Sequence, residues 1–298
     1  MLRTRLFERA RLFGRGRLGG PSPYPTRVAR LARTVGAVAV LLAFLPPLAL
    51  LVSGSLHQPG LPPPPAPRLL PDPLTTSGYR TAVELGGLGR AMVNSLLVAA
   101  VAVPVSVLVA ALAGFALTRL SRRVVAVVGA ASLVALMVPA TALLVPRFAV
   151  FRALGLTDTL VPLMAPALLG TSPLYVLVYY LAFRAVPADL YDACRLRDLT
   201  PFQTWWRVAM PLVRPVTGAV TALVFVLTWS NFLDPLAYVY DRDLYPLPLA
   251  LRSLSTLDPT NFPVFLAGAV LATVPPVVVF ALAQRRFLND TSAMGRFR

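Results

Sequence analysis

Residues 187–215 read PADLYDACRLRDLTPFQTWWRVAMPLVRP. Asp189 and Asp192 are followed at helical spacing by Arg195 and Arg197, so carboxylates and guanidinium groups share one short segment and can form ion pairs within it or with a partner. Phe202, Trp205 and Trp206 follow, residue types that commonly carry interface energy. A second constellation is Trp229, Ser230, Asn231 and Asp234, which sets an aromatic face beside hydrogen-bonding groups and one carboxylate at the end of an apolar run. A carboxylate in or near such a run is either a functional group or the first residue of a loop. Groups for catalysis are scarce. There is one histidine, His57, expected in an exposed loop, and one cysteine, Cys194. These leave no zinc motif and no disulfide within the chain. No GxxxxGK[ST] phosphate loop occurs, so the chain does not hydrolyse ATP by that route.

The elements that must hold these groups are two short helices and a set of long apolar ones. Pro187 suits a first helical turn. Asp189 and Asp192 then sit toward the positive end of the helix dipole, and Arg195 and Arg197 toward the negative end. Leu190, Ala193, Cys194 and Leu196 form a small apolar side. Thr200 is an expected N-cap, Pro201 the first helical residue, and Gln203 the partner that completes a capping box. The second helix carries Phe202, Trp205, Trp206, Ala209 and Met210 and is expected to stop before Pro211. The segment thus reads as helix, turn, helix. Its tryptophans have two available roles, docking to a partner or anchoring in the lipid headgroup region.

Around this segment the chain is 57% hydrophobic and 13% charged, with a mean hydropathy of +0.71. This excludes an ordinary soluble domain. Six runs of spanning length are expected at 35–56, 92–117, 124–145, 159–183, 216–236 and 264–282. They are too long and too uniformly apolar for barrel strands, and only closed hydrogen bonding survives in lipid, so they read as helices. The fold class is therefore an all-α integral membrane protein, with the short helix pair between the fourth and fifth spans. Prolines at 46, 47, 104, 139, 162, 166, 173, 275 and 276 fall inside these runs and are expected to bend them, either as plain kinked packing or as a deformable wall. The domain reading is a basic tail at 1–34, a membrane domain at 35–284 containing the 187–215 loop, and a C-terminal tail at 285–298. The first run is long enough to be a signal anchor rather than a cleaved signal peptide.

The net charge of +16 resides entirely on arginine, since the chain has no lysine. With the N-terminus inside, the tail, the 118–123 loop, the 184–215 region and the C-terminus hold nine, three, five and four of the 28 arginines and five of the 12 acids. The seven remaining arginines balance the seven remaining acids on the other side. That asymmetry is the positive-inside pattern and places both termini and the helix pair in the cytoplasm. It also accounts for the high charge without nucleic acid and points to anionic lipid as the electrostatic partner. The arginine-rich tail reads as a disordered, lipid-touching segment, and Pro62 to Pro65 as an extended external one.

Residues 187–215 resemble the conserved cytoplasmic loop of ABC importer permeases, the EAA motif, whose pattern is Glu-Ala-Ala, three residues, Gly, nine residues and Ile-x-Leu-Pro. Asp192, Ala193 and Cys194 stand at Glu-Ala-Ala, Asp198 at Gly, Val208 at Ile, Met210 at Leu and Pro211 at Pro, with the spacing kept. Asn94-Ser95, Gly114 to Arg119, Trp229 to Leu236 and Tyr245 to Pro248 add resemblance to the carbohydrate-uptake, maltose-type second subunit, over residues 35–298. The family has Asp-Gly where this chain has Arg197-Asp198, and because Gly suits a positive φ better than Asp, a tighter or differently shaped turn is expected here.

The resemblance implies the roles. Asp189, Asp192, Ala193, Cys194, Arg195, Arg197, Asp198, Phe202, Trp205, Trp206 and Pro211 would couple the chain to an ATPase. Trp229, Ser230, Asn231 and Asp234 would lie on the substrate path, since sugars bind by stacking and hydrogen bonding. Tyr240, Asp241, Arg242 and Asp243 would meet an external solute-binding protein, or form an ordinary solvated loop. The implied partners are a second permease, two ATPase subunits that bind ATP-Mg, and the binding protein; this chain itself binds no cofactor or metal. The implied substrate is a sugar or related polyol, with an amino acid or peptide as the alternative. A secondary transporter would need ionisable residues inside the spans and repeated halves, and the spans hold almost none.

Overall fold

The computed structural model describes residues 27–60, 73–170, 172–257 and 261–294. The expectations for the arginine-rich tail before residue 27, for the 62–65 polyproline run and for the last four residues lie outside it. All regular structure among the described residues is helical. The chain divides into two units, 1–49 and 50–298. The first contributes most of α1 (Arg27–Ser55), whose side chains from 31 to 49 are all exposed.

The second unit is built around α3 (Leu88–Leu117), which at 30 residues is roughly 45 Å long. Ala91, Ser95, Ala99, Ala102, Ser106, Ala110, Ala111 and Gly114 on it are buried. Small residues at this spacing let neighbouring helix backbones come close. The helices that pack most extensively on α3 are α6 (Val161–Gly170), α7 (Pro173–Arg184), α10 (Arg214–Trp229) and α12 (Leu247–Leu257). At Gly114 a Cβ would lie 2.9 Å from both Tyr180 N and Val176 O of α7. Glycine is needed there because these are backbone atoms that cannot move aside. The last helix, α13 (Phe262–Met294), packs on α10, α12 and the short α2 (Ser77–Glu84).

Three described helices are long and apolar enough to cross a membrane: Leu31–Ser55, Leu88–Leu117 and Phe262–Gln284. They match the expected spans 35–56, 92–117 and 264–282. The other three expected runs are not single straight helices. The 124–145 run comprises α4 (Arg122–Met137), a 3-10 turn and α5 (Leu144–Ala153), bent by 86°. The break falls at Val138, which is extended (φ −76°, ψ 118°) because Pro139 follows and disfavours the helical region for the residue before it. The 159–183 run is divided into α6 and α7, with Ser172 extended before Pro173 for the same reason. The 216–236 run ends as a helix at Trp229, and α11 (Leu233–Tyr238) starts separately, with Asn231 Oδ1 accepting from Asp234 N at 3.3 Å. Two bent helix pairs, Arg122–Met137 with Ala140–Ala153 and Pro201–Leu212 with Arg214–Trp229 (84°), are apolar enough to count as one span each, which gives up to five among the described residues.

Candidate functional site

The 187–215 segment forms the two expected short helices, α8 (Ala188–Leu196) and α9 (Pro201–Leu212). Pro187 is the N-cap of α8, one position earlier than expected. The capping box at the start of α9 is complete: Gln203 N donates to Thr200 Oγ1 at 3.2 Å, and Thr200 N donates to Gln203 Oε1 at 3.0 Å. The helix does not stop before Pro211. Instead it widens into a π turn over Trp205–Ala209 and continues through Pro211 to Leu212. The widened turn ends two residues before Pro211, which lacks an N–H and so leaves one bond of the regular helical pattern unmade.

The turn between the helices corrects the expected distortion. Asp198 adopts φ 51°, the left-handed conformation that glycine would supply. Leu199 N donates to Cys194 O at 3.1 Å and Asp198 N to Arg195 O at 3.0 Å, the paired bonds of a Schellman ending. The chain therefore makes a glycine-type turn with an aspartate.

One face of the pair is fixed to the bundle. Tyr191 Oη donates to Phe183 O at 3.0 Å. The Arg119 guanidinium lies 4.9 Å from the Phe115 ring centre and 5.5 Å from that of Tyr191. Burial pushes the Tyr191 hydroxyl pKa up, with the Arg119 charge opposing. Cys194, Trp205 and Ala209 are buried on the same side. The expected apolar side thus divides: Cys194 faces inward, while Leu190, Ala193 and Leu196 face out, Leu196 at 87% exposure. Trp205 is enclosed by the chain's own core, whereas Phe202 (64% exposed) and Trp206 (59%) present their rings outward. Asp189, Asp192, Arg195, Arg197 and Asp198 are all exposed, and Asp192 pairs with Arg195 at 3.0 Å within α8. Pro211 is half-buried.

A cavity of about 220 Å³ lies among α3, α5, α6, α7, α10 and α11. Its polar lining is Ser95, Ser106, Ser172, Tyr175, Thr228 and Asn231, together with the ion pair Arg147–Asp234. Arg147 Nη2 donates to Asp234 Oδ1 at 3.1 Å, and Asn231 Nδ2 donates to Asp234 Oδ2 at 2.9 Å. Of the four residues expected on a substrate path, Asn231 and Asp234 line this cavity. Trp229 and Ser230 do not. Trp229 is buried, stacked on Phe225, and donates from Nε1 to Ala272 O at 3.0 Å; Ser230 Oγ donates to Val226 O at 2.8 Å. Sequence reasoning missed Arg147. The available signal was a single cation in an apolar stretch, VPRFAV, which needs a buried partner, and Asp234 is that partner.

The 238–247 loop is held at the opposite end of α3 from Arg119. Asn94 Nδ2 donates to Asp243 O at 2.8 Å and to Tyr245 O at 3.2 Å, and Leu247 N donates to Ser95 Oγ at 2.7 Å. Asp158, also missed, has φ 61°. Its Oδ1 accepts from Asp241 N at 2.8 Å and Tyr240 N at 2.9 Å, and these donors hold its carboxyl below the usual carboxylate range. Asp241 Oδ1 accepts from Asp243 N at 2.9 Å, and Asp243 pairs with Arg90 at 2.9 Å. Tyr240, Asp241, Arg242 and Asp243 are all exposed. His57 is half-buried rather than exposed, with Nδ1 3.0 Å from Ser53 O.

Residues 102–289 match the sequence signature of the binding-protein-dependent transport system inner membrane component. The chain belongs to this family. It is therefore a transport-system permease component of the inner membrane and not an enzyme. The lactose transport system permease protein LacG of Rhizobium radiobacter is 31% identical over 200 residues, 66% of this chain and 71% of that protein. The trehalose transport system permease protein SugB of Mycobacterium tuberculosis is 30% identical over 228 residues, 74% of this chain and 81% of that protein. The permease also has the fold of a chain in the crystal structure of a bacterial ABC transporter involved in the import of the acidic polysaccharide alginate: TM-score 0.71, 21% identity, 89% of this chain and all of that one.

Proposed function

We propose that this permease is one of two membrane-spanning subunits of an ATP-driven importer for a sugar or related polyol. In this reading it crosses the cytoplasmic membrane six times with both termini inside, each broken run counting as one span, and the α8–α9 pair is the coupling element. ATP-Mg binds and is hydrolysed on two separate ATPase subunits, and an external solute-binding protein delivers substrate to the end of the bundle that carries the 238–247 loop.

The observation that carries this reading is the two-sided α8–α9 pair. Its inner side is tied to the bundle through Tyr191, Cys194, Trp205 and Ala209, so a push on the pair moves the helices behind it. Its outer side exposes Leu190, Leu196, Phe202 and Trp206 beside Asp189, Asp192, Arg195 and Arg197. An apolar patch rimmed by charges is the composition of a protein interface. The sugar assignment is supported by the hydroxyl- and amide-rich lining of the cavity and by the substrates in the names of the lactose and trehalose relatives.

Affinity purification of the tagged chain from its native membranes tests the assembly. An ATPase and a second permease are expected to co-purify, and the binding protein is expected to show a sugar-dependent thermal shift. Recovery of the chain alone, under conditions that keep other membrane complexes intact, would overturn the proposal.

A further inference from the structure

A second cleft, of about 560 Å³, lies where α3 ends, α4 begins and α7 ends. Its walls are Leu117, Leu120, Val125 and Ala126, and its polar groups are Arg122, Arg184, Tyr180 and Thr118. No acid lines it. Neither Arg122 nor Arg184 forms an ion pair among the described residues. Arg184 Nη1 donates to Tyr180 Oη at 3.2 Å, which leaves the tyrosine its own proton to donate. Two guanidinium groups from different helices therefore line one concavity with no carboxylate among the described residues to balance them. The surface beside it is apolar and exposed: Leu120 at 48%, Val124 at 44% and Val127 at 69%. A soluble anion would leave that surface bare, whereas a molecule with a phosphate at one end and hydrocarbon at the other covers both.

We propose that this cleft is a specific site for an anionic phospholipid, its phosphodiester held by Arg122 and Arg184, its headgroup accepting from Tyr180, and an acyl chain lying along Leu120 and Val124. This rests on the reading of the 118–123 loop as the cytoplasmic end of the bundle, at headgroup depth. Arg119 lies at the same end, against the Phe115 and Tyr191 rings, so a lipid seated here adjoins the anchor of the coupling pair.

The test has two steps that fail separately. Retention of the full-length chain in carbonate-washed membranes is read first; its loss would overturn the membrane-spanning reading itself. The purified full-length chain in mild detergent is then titrated, with native mass spectrometry as readout, against dioleoyl phosphatidylglycerol, dioleoyl phosphatidylcholine and inorganic phosphate. Phosphatidylglycerol is expected to bind tighter than phosphatidylcholine by about thirtyfold, from roughly fivefold per arginine. R122Q/R184Q is expected to erase this preference and R122K/R184K to keep most of it. Equal binding of the two lipids by the wild-type chain would overturn the proposal without any variant. So would an unchanged preference in R122Q/R184Q, or inorganic phosphate binding as tightly as phosphatidylglycerol.

Discussion

The Arg147–Asp234 pair joins α5 to α11 across the cavity, and its strength can be worked from its geometry. The side chains are 30% and 15% exposed and the atoms 3.1 Å apart. At that separation the Coulomb attraction is about 5 kcal/mol at an effective dielectric constant of 20 and about 1.3 kcal/mol in water. Desolvation of two partly enclosed ions and the ordering of the arginine chain offset much of the larger figure. The expected net coupling is therefore about 2 kcal/mol, well above the roughly 0.3–0.5 kcal/mol of an exposed helix pair such as Arg80–Glu84, whose side chains are 79% and 57% exposed. The perturbation is a double-mutant cycle with Arg147→Ala, Asp234→Ala and the combined variant. The assay is reversible unfolding of the purified chain in detergent, followed by tryptophan fluorescence; Trp229 lies five residues from Asp234. Each single variant should destabilise by more than the pair is worth, because it strands one charge beside an apolar wall. The double variant should recover about 2 kcal/mol relative to the sum of the singles. A coupling energy below about 0.5 kcal/mol, in the range of an exposed pair, would refute the reasoning and make the pair an incidental surface contact.

Ser95→Ala removes the acceptor for Leu247 N in a buried site and is expected to cost about 1–3 kcal/mol in the same unfolding assay; Ser230→Ala, at an exposed helix end, should cost less than about 1 kcal/mol. Asp198→Gly should stabilise the chain by roughly 0.5 kcal/mol by relieving the left-handed backbone, net of the glycine's extra unfolded-state entropy, whereas Asp198→Val should destabilise it by about 1 kcal/mol or more. The lowered pKa of Asp158 means that its bonds to Tyr240 and Asp241 contribute fully above the unfolded carboxyl value, about 3.9, and are lost as pH falls through the lower folded value. Amide exchange at Tyr240 and Asp241, corrected for its intrinsic pH dependence, should therefore accelerate in that acid range and remain flat above it; no acceleration would dismiss Asp158 as the clamp.

Local signals in the sequence were legible wherever the cause is also local. The break between α8 and α9 and the Thr200/Gln203 capping box depend on residues within one turn of each other, and both appear as read. At the motif's glycine position the expected distortion is absent, because Asp198 itself takes up the left-handed conformation. What the sequence did not disclose depends on partners far along the chain. Asp158 meets residues 82 and 83 positions later, and Arg147 meets one 87 positions later. The inward face of α8 follows from Tyr191 reaching Phe183 O and Arg119, which helical periodicity alone cannot specify. The bends expected at Pro139 and Pro173 are present, but as full breaks between separate helices, because the residue before each proline leaves the helical region while the apolar composition passes through unchanged.

The central claim is that the outward face of α8–α9 docks on the ATPase while its inward face belongs to the bundle. The most direct measurement is the amount of ATPase retained on the tagged permease for Phe202→Ser/Trp206→Ser, compared with wild type, at matched amounts of membrane-inserted chain. Two exposed aromatic anchors at roughly 2 kcal/mol each predict a loss of retained ATPase well over tenfold, with the isolated permease still folded and its unfolding midpoint lowered only by the loss of the two ring contacts to Trp205. Full retention of the ATPase by this variant would contradict the account.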